Sequence, residues 1–422
     1  MAIMKTEELK KIPSKFNLEQ FDVAVFAKDR IREMFRAGKL PTADAMVDEV
    51  ILRALKEGAS DIHFEPTEHE LRIRLGYEGV MKKLVSLPRD ISENLANVLK
   101  TKAGLNAFEK KKSQEGRFTM NYMGIHLDLR ISTLPTVSGE RIAMRLLTKA
   151  NHISNIEELG FSESSLEKLK KLLYRPTGLL LITGPASGGK TTTAYAALNK
   201  LNVPEKNIFA VEQLIEFKLE FATQVQPSSD KSFSTADALR SILRQSPNVI
   251  LVGDIRDAET GNLAAEAAFT GTLVISTLLS SDAIGTIPRL LNLGISPYWL
   301  ASSIVGIAHQ QLVRKICDGC KEEYQATSEE IERLGAGTWG QTIYFRGKGC
   351  DQCSGTGYRD RTAIHEILSI SDQLRDLIYE QAPSVKLKEA AFNSGFEDIR
   401  ADARNKVNEG ITTIAEFVRA LG

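Results

Sequence analysis

The octapeptide Gly184-Pro185-Ala186-Ser187-Gly188-Gly189-Lys190-Thr191 constrains the fold of this 422-residue chain more than any other stretch. It matches the pattern G-x-x-x-x-G-K-S/T in full. An apolar run at residues 178–183 precedes it, and a helix-permissive run opening Thr191-Thr192-Thr193-Ala194 follows. Glycines let a backbone wrap so that successive N–H groups face an anion, and a helix start behind the loop adds its dipole. In such a loop Lys190 reaches the β- and γ-phosphates of a nucleotide, while the Thr191 hydroxyl ligates Mg²⁺. Mg²⁺ with ATP is therefore the expected ligand, held by Gly184 through Thr192.

A strand–loop–helix of this kind needs a parallel sheet around it. Further apolar runs at 207–211, 249–252 and 273–276 alternate with helical stretches, as a doubly wound sheet requires. The run Val249-Ile250-Leu251-Val252-Gly253-Asp254 delivers a carboxylate to the C-terminal edge of that sheet, where phosphates lie. There Asp254 can orient water or outer Mg²⁺ ligands; a solvated acidic turn is the other reading of the same residues.

Upstream, residues 1–40 are charged and helix-permissive, either a docking arm or a frayed terminus. Thr42 can cap a helix with apolar positions Met46, Val47, Val50, Ile51, Ala54 and Leu55. Alternating strands punctuated by Gly79, Gly116, Gly124 and Gly139 follow. The expected division is an arm (1–40), a smaller α+β domain (41–150), a linker (151–160), an α/β core (161–312), a four-cysteine subdomain (313–365) and a helical C-terminal part (366–422).

The cysteines form two pairs, Cys317-Asp318-Gly319-Cys320 and Cys350-Asp351-Gln352-Cys353. Two C-x-x-C knuckles supply four thiolates for a closed, structural Zn²⁺ site. A redox dithiol is the alternative, though nothing thioredoxin-like surrounds either pair. No signal peptide precedes Lys5, Glu7 and Glu8, and no apolar run is long enough to span a bilayer, so a cytoplasmic chain is expected. Lys plus Arg and Asp plus Glu both number 54. Without a basic excess, nucleic acid is not an expected partner.

Taken in order, Ser60 to Pro66, the phosphate loop, Val252-Gly253-Asp254-Ile255-Arg256-Asp257, Ser276-Thr277-Leu278 and the four cysteines resemble the motor ATPases of type II secretion and type IV pilus assembly. The resemblance runs from about residue 42 to the C-terminus. Many longer members carry a large N-terminal docking domain, which is not expected here. The resemblance implies a RecA-like ATPase core behind a smaller, PAS-like α+β domain, with a zinc-knuckle insertion. It implies a homo-oligomer, a hexameric ring, working on inner-membrane secretion or pilus platform proteins from the cytoplasmic side. Catalysis would fall to Asp254, with Glu212 or Glu216 orienting the attacking water, and to Arg130 and Arg145 closing on the phosphates. On their strands those arginines can equally be solvated or paired with Glu140.

Several positions depart from the family pattern. Asp254 stands for Glu, the acidic box reads Glu212-Gln213-Leu214-Ile215-Glu216, and the histidine box reads Ser276-Thr277-Leu278-Leu279. Gln311 and Gly76 stand where the family has arginines. Each change removes reach, charge or a titratable group from around the γ-phosphate, and small misplacements there cost orders of magnitude in rate. Two functions follow as expectations: a hydrolysing motor, or a nucleotide-binding subunit of weak or no turnover that scaffolds one.

Overall fold

The computed structural model describes residues 42–422 except 78–79, 123–124, 149–154, 229–231, 336–342 and 354, so the N-terminal arm and residues 151–154 of the linker lie outside the described residues. The chain divides into two compact units, 1–150 and 151–422.

In the first unit the Thr42 hydroxyl accepts the Ala45 N–H at 3.3 Å and opens helix α1 (Ala43–Lys56). Met46, Val47, Val50, Ile51 and Ala54 form its buried stripe. Six strands follow: β1 (Asp61–Pro66), β2 (Glu70–Tyr77), β3 (Val80–Pro88), β4 (Gln114–Tyr122), β5 (Ile125–Thr136) and β6 (Gly139–Thr148), with α2 (Ser92–Lys102) between β3 and β4. They form one antiparallel sheet in the order β3-β2-β1-β6-β5-β4. Alternation sends Ile62, Phe64, Leu71, Ile73, Leu129 and Ile131 into a single core with α1 and α2. The opposite face carries the arginines. One cation enters the interior: fully buried Lys100 of α2 pairs with Glu140 of β6 and donates to the Glu109 carbonyl at 2.7 Å.

The second unit is built on a seven-stranded sheet. Its strands are β7 (Gly178–Gly184), β8 (Ile208–Val211), β9 (Thr223–Val225), β10 (Val249–Val252), β11 (Leu273–Leu279), β12 (Ile304–Ile316) and β15 (Tyr358–Ser369). The order is β15-β12-β7-β11-β10-β8-β9, parallel throughout except for antiparallel β15. Strands buried on both faces read as continuous apolar runs, which is why β7 and β10 stand out in the sequence. Leu179 and Leu181 face one core, with α5 (Thr235–Leu243), α6 (Ala258–Phe269), α7 (Ala283–Asn292) and α8 (Pro297–Ser303); Leu180 and Ile182 face the other, with α3 (Glu163–Leu173) and α4 (Lys190–Leu201).

Strands β12 and β15 extend together past the sheet and carry the cysteine segment between them. There β13 (Lys321–Gln325) pairs with β14 (Ile343–Gly347), and α9 (Ser328–Leu334) lies between those two strands. The C-terminal part is less uniformly helical than its sequence suggests. Residues Glu366 to Ser369 still belong to β15, because pairing with residues 306–309 of β12 continues to the strand end. Helices α10 (Asp372–Tyr379), α11 (Ser384–Asn393), α12 (Ile399–Asn408) and α13 (Ile414–Leu421) follow.

The Lys100–Glu140 pair supplies a stability test. Lys100→Met leaves a buried carboxylate uncompensated and is expected to destabilise the first unit by about 3–5 kcal/mol in denaturant unfolding. Adding Glu140→Leu should recover most of that loss. A single variant as stable as the parent would refute the pairing.

Candidate nucleotide site and four-cysteine cluster

The phosphate loop connects β7, the strand next to the antiparallel β15–β12 edge pair, to α4. The backbone turns left-handed at Ser187 (φ 58°) and Gly189 (φ 80°), a conformation that costs little at glycine and more at serine. Gly189 is also the N-cap of α4 and brings no side chain to close the first turn. The N–H groups of Lys190, Thr191 and Thr192 therefore lack intrahelical acceptors and are free to meet an anion. Gly184 is required by a neighbour: a Cβ there would lie 2.2 Å from the Gln310 carbonyl oxygen of β12. The buried Gln310 side chain in turn donates from Nε2 to the Gly188 carbonyl at 2.7 Å.

Lys190 folds back over this cradle. Its Nζ donates to the Pro185 carbonyl at 2.8 Å and the Gly184 carbonyl at 3.3 Å. Burial pushes its pKa down, and the charges of Asp254 and Glu216 pull it back up. A cation among open N–H donors, held by carbonyls it can exchange, suits phosphate oxygens.

The three acids behave differently. Asp254 follows β10 and accepts the Thr277 hydroxyl on Oδ1 at 2.6 Å, while Arg256 lies 3.4 Å from Oδ2. Glu216 is half-buried and acts electrostatically on Lys190. Glu212, only 6% exposed, turns toward α4, and both its oxygens take the Tyr195 hydroxyl at 3.0 Å. Burial pushes the Glu212 pKa up to about 7, opposed by hydrogen bonds from Tyr195 and Gln224 and reinforced by Glu216. Neither Tyr195 nor Gln310 carries a sequence signal of its own; each meets its partner only through the fold.

The departures from the family pattern also have places. Leu279 ends β11, pairs in register with Gly184 and is 42% exposed, an apolar side chain beside the cradle. Gln311 points away from the chemistry in this chain, donating to the Ala420 carbonyl of α13 at 2.9 Å. At Gly76 an added Cβ would come within 3.1 Å of the Asp61 Cβ. In the first unit Arg130 and Arg145 are cross-strand register partners. Arg145 pairs with Asp61 at 2.9 Å and Arg130 with Glu115 at 3.2 Å. Neither pairs with Glu140, which belongs to Lys100.

The four cysteines converge as their spacing predicts, with all Sγ atoms within 4.8 Å of one another. Three of the separations are 3.8 Å: Cys317–Cys350, Cys320–Cys353 and Cys350–Cys353. Four sulfurs about 2.3 Å from one Zn²⁺ at tetrahedral angles lie about 3.8 Å apart, so the arrangement fits that ion. The N–H groups of Cys350 and Gly357 each donate to Cys353 Sγ at 3.2 Å. Burial raises the Cys353 pKa, but those donors and the neighbouring thiols bring it down, while burial pushes Cys317 and Cys320 up; one of the coupled thiols ionises ahead of the others. None of the four is in a disulfide.

A phosphate cradle on an interior strand of a doubly wound sheet, with an acid at the tip of β10, defines a P-loop nucleotide-binding domain. The chain belongs to the Type II/IV secretion system protein family, which it matches over residues 37–419. It is 40% identical, over 89% of its length, to the type IV pilus assembly ATPase PilB of Thermus thermophilus, of which it spans 42%. It is likewise 40% identical, over 89% of its length, to type II secretion system protein E of Pseudomonas aeruginosa, spanning 74% of that protein. The fold is similar to that of the Legionella pneumophila ATPase DotB (TM-score 0.64, 19% identity, 89% of this chain and 94% of that one). Among the described residues no helix is long and apolar enough to cross a membrane.

Two measurements test this geometry. Metal analysis should find about one Zn²⁺ per chain, and Cys320→Ser should abolish binding and loosen the 317–353 segment; a metal-free, well-folded chain would disprove the site. For Glu212, a folded pKa near 7 against an ordinary 4.5 means the folded state holds a proton that the unfolded state has lost. Its stabilising contribution is complete below pH 4.5 and falls away as pH rises toward 7. Glu212→Gln should therefore gain stability over the parent across that window by up to about 3 kcal/mol. A difference that does not change with pH would overturn the assignment.

Proposed function

We propose that the chain is an ATP-hydrolysing motor of type II secretion or type IV pilus assembly, working as a homo-oligomeric, hexameric ring on the cytoplasmic face of the inner membrane. The observation that carries this reading is the intact cradle, in which Lys190 is held by loop carbonyls while Asp254 and Glu216 act on the same ammonium. On nucleotide binding Lys190 exchanges those carbonyls for β- and γ-phosphate oxygens, and Gly184 through Thr192 enclose the phosphates. Thr191 would hold Mg²⁺, which supplies charge neutralisation on the phosphate oxygens when bound. Asp254, fixed by Thr277, orients the attacking water, with Glu216 as the second acid; Glu212 joins only if it leaves Tyr195. By the family resemblance, Arg130 and Arg145 would supply the remaining charge neutralisation. The four cysteines hold a structural Zn²⁺, and the partners are inner-membrane platform proteins.

A second reading, a nucleotide-binding subunit of weak turnover that scaffolds such a motor, is favoured by one observation. Leu279 stands exposed beside Gly184, where the family pattern has a histidine. Steady-state phosphate release from Mg-ATP, with Lys190→Ala as the blank, separates the two. Turnover well above the blank is expected, and Asp254→Glu with Leu279→His should raise it by about tenfold or more. Nucleotide binding without turnover above the blank would move the assignment to the second reading.

A further inference from the structure

A polar row crosses the sheet directly behind the phosphate loop. Thr183 of β7, His309 of β12 and Glu366 of β15 are register partners on three adjacent strands, all at most 3% exposed. The adjacent row on the same face is Leu181, Ile307 and Leu368, wholly apolar. Thr183 immediately precedes Gly184, and its hydroxyl lies 3.1 Å from His309 Nδ1. Burial holds His309 neutral, with its pKa pushed down to about 4.

Glu366 closes the row with a fork. One carboxylate oxygen accepts the Ala283 N–H at 2.5 Å and the other accepts the Ile399 N–H at 2.8 Å. These donors are the first residues of α7 and α12, whose N-caps, Asp282 and Asp398, already occupy the third-position donors Gly285 and Ala401. The carboxyl thus sits at two helix N-termini at once; burial pushes its pKa up to about 7, opposed by the two N–H donors and reinforced by the charges of Asp282 and Asp398. Helix α7 starts from residues 279–282. Leu279 of that segment pairs with Gly184, and the Ser280 N–H lies 3.4 Å from the Gly184 carbonyl. Helix α12 packs with α13 on Val313 of β12 and Ile364 of β15, and its Asp402 accepts the His365 N–H of β15 at 2.8 Å. Two buried carboxylates therefore fasten α12 to β15, and Glu366 is the one that also holds the phosphate-side segment.

We propose that Glu366 is a positioning residue that transmits nucleotide occupancy of the phosphate loop to the C-terminal helices. The inference rests on the ATP-binding reading above. A displacement of residues 279–282 moves the Ala283 N–H, the carboxylate follows, and the Ile399 N–H draws α12 with it. Only a carboxylate can serve both donors: a glutamine accepts through its oxygen but turns an NH₂ toward the second N–H. The structure shows this interaction made; transmission requires that nucleotide shift the balance between its made and broken forms.

The experiment is hydrogen exchange on the full chain, with and without Mg-ATP, reading peptides over 283–287 and 399–403 in the parent, Glu366→Gln and Ile399→Pro. Proline at the first helical position keeps α12 and deletes the N–H that Glu366 accepts, with some loss of the Ile399 side chain's packing against Ile364 and Phe417. Asp398 is already extended (φ −74°, ψ 164°), as a residue before proline must be. Nucleotide should change protection in both segments of the parent. In both variants the 283–287 response should persist while the 399–403 response is lost, with kcat down about tenfold and KM within about twofold. A role confined to helix capping would lower stability but leave the nucleotide-dependent difference in place. Should Glu366→Gln fail to fold, Ile399→Pro gives the same reading. A 399–403 response that survives in Ile399→Pro, or that is absent in a parent that binds ATP, overturns the proposal alone. A parent that binds no ATP overturns the nucleotide reading together with it.

Discussion

The packing of β12 against β7 is the interaction on which the site depends. The Gln310 carbonyl occupies the space where any side chain at Gly184 would lie, and the Gln310 amide holds the far side of the loop at Gly188. A loop that wraps an anion must be shaped before the anion arrives, because each donor ordered on binding subtracts from affinity. Here the shaping comes from a neighbouring strand. The same strand pairs with β15, runs on into Cys317 and Cys320, and anchors α13 through Gln311 and Arg314. Phosphate loop, cysteine cluster and C-terminal helices thus share one mechanical element.

How much of this was legible in the sequence follows from where the partners lie. The strands β7, β8, β10 and β11 announced themselves as apolar runs because both their faces are buried. Strands β12 and β15 do not, since His309, Gln310, Gln311, Arg314, His365 and Glu366 interrupt the apolar pattern, and the end of β15 reads as helix in sequence. The phosphate loop and the cysteine knuckles were readable because their chemistry needs contiguous residues. The acids were readable as candidates only. What Asp254 and Glu212 do is set by Thr277 and Tyr195, which lie on other elements and have no fixed spacing to them. Likewise Arg130 and Arg145 become neighbours through the β5–β6 hairpin, and the carboxylate expected beside them, Glu140, is drawn through the sheet to Lys100.

The pattern of departures has a physical logic. Nucleotide affinity comes mainly from backbone N–H groups and one lysine, which changes at Asp254, Leu279 or Gln311 leave untouched. In-line attack depends on side-chain reach, so those same changes act on rate. Gln311 shows how such a position is reused: without a guanidinium it bonds a helix end, and its contribution passes from electrostatics to packing.

Charge decides between the two remaining acids. For Glu212 to accept a proton from water it must first be ionised, yet burial places its pKa at about 7, and the nearby charge of Glu216 opposes ionisation further. Its oxygens are also occupied by the Tyr195 hydroxyl. Glu216 is half-buried, and its charge is felt by Lys190 together with that of Asp254. In the proposed mechanism, two carboxylates acting on Lys190 make a more direct water-orienting pair than one that must break a buried hydrogen bond first. Glu212 is then the residue that ties the start of the acidic box to the helix behind the phosphate loop.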